Sequence, residues 1–244
     1  MALELLDRET LRIALIGMPR SGSTIITAAV NSIGRSLVLG EPHGLARAQR
    51  PPGMSHVANI LETEYGLFEL KPNFNVLEQI KAFAQNLLIP IYGFKECLVT
   101  RTVDPIRLVE GYGDELDMVL VTLRTPRKNY MSMLQMTNPA HIPVTAFKFA
   151  TGYMELAEYT RKPNVHAIFL DRFRHDPVGE LRRATGLNIV GDLEFKKFAG
   201  GGDVTARVAK KVYMLDRRAS WPGESLDDAV IVYDQIWSEN ITGS

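Results

Sequence analysis

Cysteine is almost missing from this chain: Cys97 is the only one in 244 residues. No intrachain disulfide can form, and a reducing compartment is the expectation. Surplus charge is missing too. Lys plus Arg number 28 and Asp plus Glu number 28, which argues against the broad basic face of a nucleic-acid binder. No apolar run approaches the ~20 residues of a membrane span. The opening MALELLDRETLR has neither the basic start nor the apolar core of a secretory signal, so a cytoplasmic location is expected. Clusters of Cys and His at zinc spacing and metal-carboxylate motifs are absent as well, and no metal is expected.

What is present reads as repeated β-α units. One α/β domain over residues 1–244 is expected, built as a three-layer sandwich around a central parallel sheet. Ile13 to Ile16 is short, apolar and rich in β-branched residues, as a buried parallel strand should be. Ile91 to Phe94, Met118 to Leu123 and Val165 to Leu170 read as further strands, with a short apolar patch at Leu37 to Leu39. Helices are expected from Thr24 to Ile33 (capped by Gly34), Phe74 to Leu88, Lys128 to Met136 and Val144 to Tyr159, and after Asp176-Pro177 up to Gly186. Gly44 to Met54 reads as loop, and the C-terminal stretch, with Trp221 and Trp237, reads as irregular.

The most informative segment is IALIGMPRSGSTIITAAVNSIG, Ile13 to Gly34. Its order is strand, tight loop, helix, a P-loop-type unit at the N-terminus. Gly17 and Gly22 let the backbone turn sharply and approach a ligand. The helix starting near Ser23 aims free N–H groups and its positive dipole end at the loop, so an anion fits there. The NTPase form of this loop needs Lys before its Ser or Thr. Ser23 stands in that position, and the cation has moved to Arg20. Without that lysine the loop suits a single phosphate or a phosphosulfate better than a transferring γ-phosphoryl group.

A second segment, VLVTLRTPRKNYMSML, runs from Val119 to Leu134. Its strand ejects Arg124 at the carboxyl end, where open α/β sheets bind ligands. Ser132 follows eight positions later in the next helix. A guanidinium fork and a hydroxyl from one strand-loop-helix unit can converge on a second phosphate.

Together the two segments resemble the sulfotransferase family that uses 3′-phosphoadenosine 5′-phosphosulfate (PAPS) and releases 3′-phosphoadenosine 5′-phosphate (PAP). PRSGST resembles the family's 5′-phosphosulfate loop, and Arg124 with Ser132 resembles its 3′-phosphate pair. FLDRFRHDPVGELRRATGL, Phe169 to Leu187, is similar to the family's strand and Asp-Pro-led helix, so the likeness spans about Leu11 to Leu187. The resemblance implies that Ser21, Gly22, Ser23 and Thr24 bind the 5′-phosphate through backbone N–H groups and hydroxyls. It implies that Arg20 and Lys95 face charge on the transferring sulfuryl group, as pre-positioned cations that need no reorganisation.

Cytosolic small-molecule members carry a His two residues past that lysine; here the position is Cys97, a poor base as a neutral thiol. Glu41, in LVLGEPHG, is the first choice of base, because tyrosylprotein members place a catalytic Glu in a similar setting. His43 is second and Glu96 third. The reaction implied is sulfuryl transfer to a hydroxyl or amine of a small-molecule, carbohydrate or peptide acceptor. Residues Pro42 to Tyr65 and Met136 to Pro143 are the expected acceptor loops. Two rivals stay open at the level of sequence: a P-loop small-molecule kinase using ATP and Mg²⁺, and a non-catalytic nucleotide-binding module on the same fold.

Overall fold

Five apolar runs pair into one parallel sheet: β1 (Leu11–Gly17), β2 (Ser36–Gly40), β5 (Ile91–Cys97), β6 (Met118–Leu123) and β7 (Val165–Phe169), in the order β2-β5-β1-β6-β7. The computed structural model describes residues 10–43, 60–71, 74–97, 104–134, 146–190, 193 and 226–242. β1 lies at the centre, paired to β5 on one side and β6 on the other. Its chain continues toward β2 on one side of the sheet, whereas β6 continues toward β7 on the other. The carboxyl ends of β1 and β6 therefore form the switch point where open α/β sheets bind ligands.

Although the strands are apolar almost throughout, their side chains alternate between two cores. Ile13, Leu15, Val38, Ile91, Leu120 and Ile168 pack with Ile26 and Val30 of α1 (Ser23–Asn31), and with Ile33 just after it, on one face. Phe173 and Leu181 of the later helices α6 (Leu170–His175) and α7 (Pro177–Thr185) complete that layer. Ala14, Ile16, Leu39, Phe94, Val121 and Phe169 face the opposite core. That core is covered by α2 (Val76–Asn86), α3 (Pro105–Tyr112), α4 (Pro126–Leu134) and α5 (Ala146–Tyr159). This two-faced burial makes the expected three layers.

Most helix ends follow sequence chemistry. Asn75 caps α2 by accepting from the N–H groups of Leu77 and Glu78, and Asp104 caps α3 in the same way on Ile106 and Arg107. Asp176 caps α7, and Gly186 closes it in the left-handed conformation (φ 68).

Three features depart from the sequence expectation. β5 runs on through Lys95, Glu96 and Cys97 instead of ending at Phe94, because the strand stays paired to β1 as far as Gly17↔Cys97. At the end of the stretch expected to be an acceptor loop, β3 (Ile60–Thr63) pairs with β4 (Gly66–Glu69), just beyond it, as an antiparallel hairpin. Leu61 and Phe68 bury its inner side in the second core. Trp237, assigned to an irregular tail, sits on a regular helix, α8 (Asp227–Thr242). Ala229, Tyr233 and Ile236 supply a helical stripe to that core, and Trp237 meets Phe169 edge-on at 4.7 Å. Residues 44–54, 136–143 and Trp221 lie outside the described residues. Among those described, no helix is long and apolar enough to cross a membrane.

Candidate active site

The loop after β1 is shaped by two close approaches. A Cβ on Gly17 would overlap the Thr122 hydroxyl of β6 and lie 2.8 Å from Ser21 Oγ. With glycine there, Ser21 and Thr122 share a 2.5 Å hydroxyl contact that joins the loop to β6. Gly22, the residue before α1, has φ 92, and a Cβ on it would run into Leu170. Arg20 also takes a left-handed conformation (φ 68), a sparsely populated region for a residue with a side chain.

α1 starts without a side-chain cap and without an acidic residue in its first turn. Its opening N–H groups, Ser23 and Thr24 among them, are therefore free of a competing carboxylate, and the helix dipole favours an anion there. Ser21 and Ser23 are buried in the loop wall. This donor set fits the 5′-phosphate end of the expected cofactor.

Lys95 and Glu41 meet beside the loop. The register Gly40↔Lys95 sets the last residue of β2 opposite Lys95, so the next residue, Glu41, reaches it at once. Its N–H donates to the Lys95 carbonyl at 2.6 Å, and its carboxylate accepts from the Lys95 ammonium. Lys95 is only 3% exposed, while the Glu41 side chain is 43% exposed. Burial pulls the Lys95 ammonium down, but attraction to Cys97 and Glu41 outweighs it and holds the group above its ordinary value. Burial likewise pushes the Cys97 thiol up, against the pull of Lys95. A thiol held protonated contributes little charge at neutral pH, so Glu41 is the partner that keeps Lys95 charged there. Cys97 Sγ touches Ser23 Oγ at 3.7 Å, which ties the end of β5 to the start of α1.

Alternation along β5 separates the candidate bases. Lys95 and Cys97 share the α1 side of the strand, and Glu96 points to the opposite core. There Glu96 Oε1 accepts from the His43 N–H at 2.8 Å and meets His43 Nδ1 at 3.1 Å. His43 Nε2 pairs with the Tyr112 hydroxyl at 2.8 Å, and Phe94 packs on the ring edge at 4.5 Å. His43 is 5% exposed and Glu96 is fully buried. His43, the second choice of base, is thus a packed, hydrogen-bonded histidine. A cleft of about 440 Å³, lined by Asn75, Asp104, Arg107 and Tyr112 among others, opens on the α3 side. It shares no lining residue with the phosphate loop.

Arg124 and Ser132, the residues expected to share a second phosphate, both contact Arg20. Arg124 is buried at the end of β6, and its Nη1 donates to the Arg20 carbonyl at 3.3 Å. Arg20 Nε donates to Ser132 Oγ on α4 at 3.2 Å. Asn129 Nδ2 donates to the Pro19 carbonyl at 3.0 Å, fixing the same stretch of loop.

Sequence reasoning missed the supports of this pair. Tyr153, fully buried on α5, donates to the Arg124 carbonyl at 2.9 Å, and burial holds its phenol well above the usual range. Asp171 holds the next residue: its Oδ2 accepts from Thr125 Oγ1 at 2.6 Å and from the Thr125 N–H at 3.4 Å. Burial would raise the Asp171 carboxyl, but Thr125 and Lys128 outweigh it and the net direction is down. A depressed carboxyl stabilises the fold above its unfolded value, and that stability is lost as pH falls through the folded one. Asp171→Asn should therefore cost about 1 kcal/mol at neutral pH. The difference from the parent should shrink below the ordinary value of 3.8. Urea unfolding on either side of that pH checks it; an equal difference at both would remove Asp171 from this role.

A tight loop between strand and helix, with cations on the neighbouring strand ends, defines an α/β fold of the P-loop kind. Solved structures narrow the class. The chain is similar to the sulfotransferase domain from the Synechococcus PCC 7002 olefin synthase, with 16% identity over 97% of this chain and 98% of that one, at a TM-score of 0.52. It is similar also to the sulfotransferase domain from the curacin biosynthetic pathway, with 14% identity over 93% and 98% of the two chains, at a TM-score of 0.50. This chain has a sulfotransferase fold. No protein-family model matches it, and no curated protein matches it by sequence.

Proposed function

We propose that this protein transfers a sulfuryl group from PAPS to a hydroxyl or amine of a small-molecule, carbohydrate or peptide acceptor. One observation carries the reading: donors suited to two separate phosphates lie at the ends of β1 and β6, and beside them the buried Lys95 ammonium of β5 pairs with the partly exposed Glu41 carboxylate. A nucleoside carrying phosphate at both its 3′ and 5′ positions needs such a split arrangement.

In this reading the N–H groups of Ser21, Gly22, Ser23 and Thr24 and the hydroxyls of Ser23 and Thr24 hold the 5′-phosphate, with Arg20 as the loop's cation. Arg124 and Ser132 hold the 3′-phosphate through a guanidinium fork and a hydroxyl. When bound, this cofactor supplies the sulfuryl group that moves to the acceptor oxygen or nitrogen. Lys95, fixed by β5 and Glu41, presents positive charge toward the place where negative charge grows. Glu41 accepts the acceptor's proton; of the three candidate bases it alone has a partly exposed carboxylate on the loop side of β5. Ordering of the acceptor beside Glu41 and Lys95 supplies the rest. Positive charge comes from side chains, and the reading calls for no metal ion.

Calorimetric titration with PAP in EDTA, beside ATP with Mg²⁺, tests the proposal. The bisphosphate should bind without metal, and Arg124→Ala should weaken it by about tenfold or more, the effect of losing a charge-assisted fork. Binding of ATP with Mg²⁺ alone would overturn the reading in favour of phosphoryl transfer.

A further inference from the structure

We infer that Glu96, acting through His43, is the positioning residue for the proposed base Glu41. What Glu41 does rests on the reading above; what holds it in place does not. The Glu41 side chain is partly exposed, so packing alone does not fix its carboxylate. The backbone does more. Glu41 takes the left-handed conformation (φ 54), which a residue with a side chain keeps only where its surroundings over-determine it.

Two neighbouring residues of β5 supply those surroundings. The Glu41 N–H donates to the Lys95 carbonyl, and two residues on the His43 N–H donates to Glu96 Oε1 at 2.8 Å. Pro42 lies between the two ties with its own φ set by the ring, so the segment has little room to relax. Glu96 and His43 are braced in turn. Glu96 Oε1 also meets His43 Nδ1, His43 Nε2 pairs with the Tyr112 hydroxyl of α3, and Phe94 packs on the ring edge. Glu96 is fully buried, and among the described residues its Oε2 has no hydrogen-bond partner. A carboxylate in such a place costs the fold stability. An apolar side chain there would avoid that cost and would leave the His43 N–H without its acceptor. Alternation along β5 thus gives the strand two jobs: Lys95 meets the Glu41 carboxylate on one face, and Glu96 holds the Glu41-Pro42-His43 turn from the other.

Hydrogen exchange resolved by NMR, on the protein without ligand, tests this hold. The Glu41 amide is the readout, because its acceptor, the Lys95 carbonyl, is untouched by the substitutions. Glu96→Ala should speed its exchange by about tenfold and leave the amides of β1 within about twofold of the parent. Glu96→Gln keeps an oxygen for the His43 N–H and should restore most of the protection. Tyr112→Phe removes one hydroxyl from a half-buried residue; it should shift the Glu41 amide the same way by less, and it decides the matter if Glu96→Ala does not fold. An unchanged Glu41 amide in the folded variants would overturn the inference, as would equal acceleration throughout β1.

Kinetics with PAPS and whichever phenol, alcohol or amine the parent uses fastest form the second arm. Glu96→Ala should lower kcat by about tenfold and leave PAP affinity within about twofold. In a Glu41→Gln background the same change should add no more than about twofold, since Glu96 acts through Glu41. An undiminished effect in that background would also overturn the inference. A parent-like kcat in Glu41→Gln alone would instead bring down Glu41 as the base, while exchange at its amide still decides what holds it.

Discussion

Replacing Lys95 by alanine should lower turnover by about 10²- to 10³-fold, the usual effect of removing a pre-positioned electrostatic group from an active site. PAP affinity should change by no more than about threefold, because the bisphosphate product carries no sulfuryl group for Lys95 to face. Lys95 is buried at the carboxyl end of β5, with its ammonium on Glu41. Few positions offer a charged amine so little freedom, and that rigidity is what the proposed role requires. The group also stays charged across the working range. Its value lies above the ordinary 10.5, so its contribution is fully present below that pH and is lost only as pH rises through the folded value.

Glu41→Gln serves as the companion measurement. The amide keeps a hydrogen-bond partner for Lys95 and loses the capacity to accept the acceptor's proton. Turnover should fall while Lys95 remains paired. Sulfuryl-transfer kinetics with a screened acceptor, together with PAP titration, read both variants. Unchanged kcat in Lys95→Ala would sink the electrostatic role, and turnover within a few-fold of the parent in Glu41→Gln would send the search for the base elsewhere.

The largest effect on stability is expected at Gly93, two residues before Lys95 on β5. This glycine lies in β5 opposite Ile13 of the central strand. A Cβ there would overlap the Ile13 carbonyl oxygen and lie 2.8 Å from the Ile13 carbonyl carbon. A clash with a flexible side chain can be relieved by a new rotamer, but this one is with the backbone of a strand paired on both sides. Relief requires β1 and β5 to separate, which would break the pairing that sets Gly17 opposite Cys97. Gly93→Ala should cost about 3 kcal/mol or more, as overpacking in a rigid core does. For a chain of this size that is roughly 10 °C in Tm. Gly111 offers the contrast, since a Cβ added there meets nothing within 4 Å. Thermal unfolding followed by circular dichroism decides the matter. A Gly93→Ala variant melting within about 2 °C of the parent would show that the strands have room the geometry denies.

Local signals were the part of the fold legible from residues alone. Apolar runs ending in a glycine-bounded turn marked β1 and its loop, and Asp176-Pro177 with Gly186 marked the ends of α7, because caps and turns are decided by neighbours in the chain. α8 was legible in principle: Ala229, Tyr233 and Ile236 keep helical spacing. Its start is marked too, by Asp227 and Asp228 in the first turn. The β3–β4 hairpin was harder to see. Two four-residue strands around Tyr65-Gly66 carry little periodicity, and their pairing depends on a core that the rest of the chain builds.

The candidate site divides along the same line. The sequence by itself determined the chemistry on offer: a phosphate-sized loop whose lysine is replaced, an arginine at a strand end with a serine one helix further on, and a lysine followed two residues later by cysteine. Tertiary structure alone decided which groups meet. Glu41 and Lys95 are 54 residues apart and Arg20 and Ser132 are 112 apart. No local rule relates positions at such distances; strand order and register do. The Gly40↔Lys95 register sets Glu41 beside Lys95, and the two-residue period of β5 turns Glu96 and its partner His43 to the opposite face of the sheet.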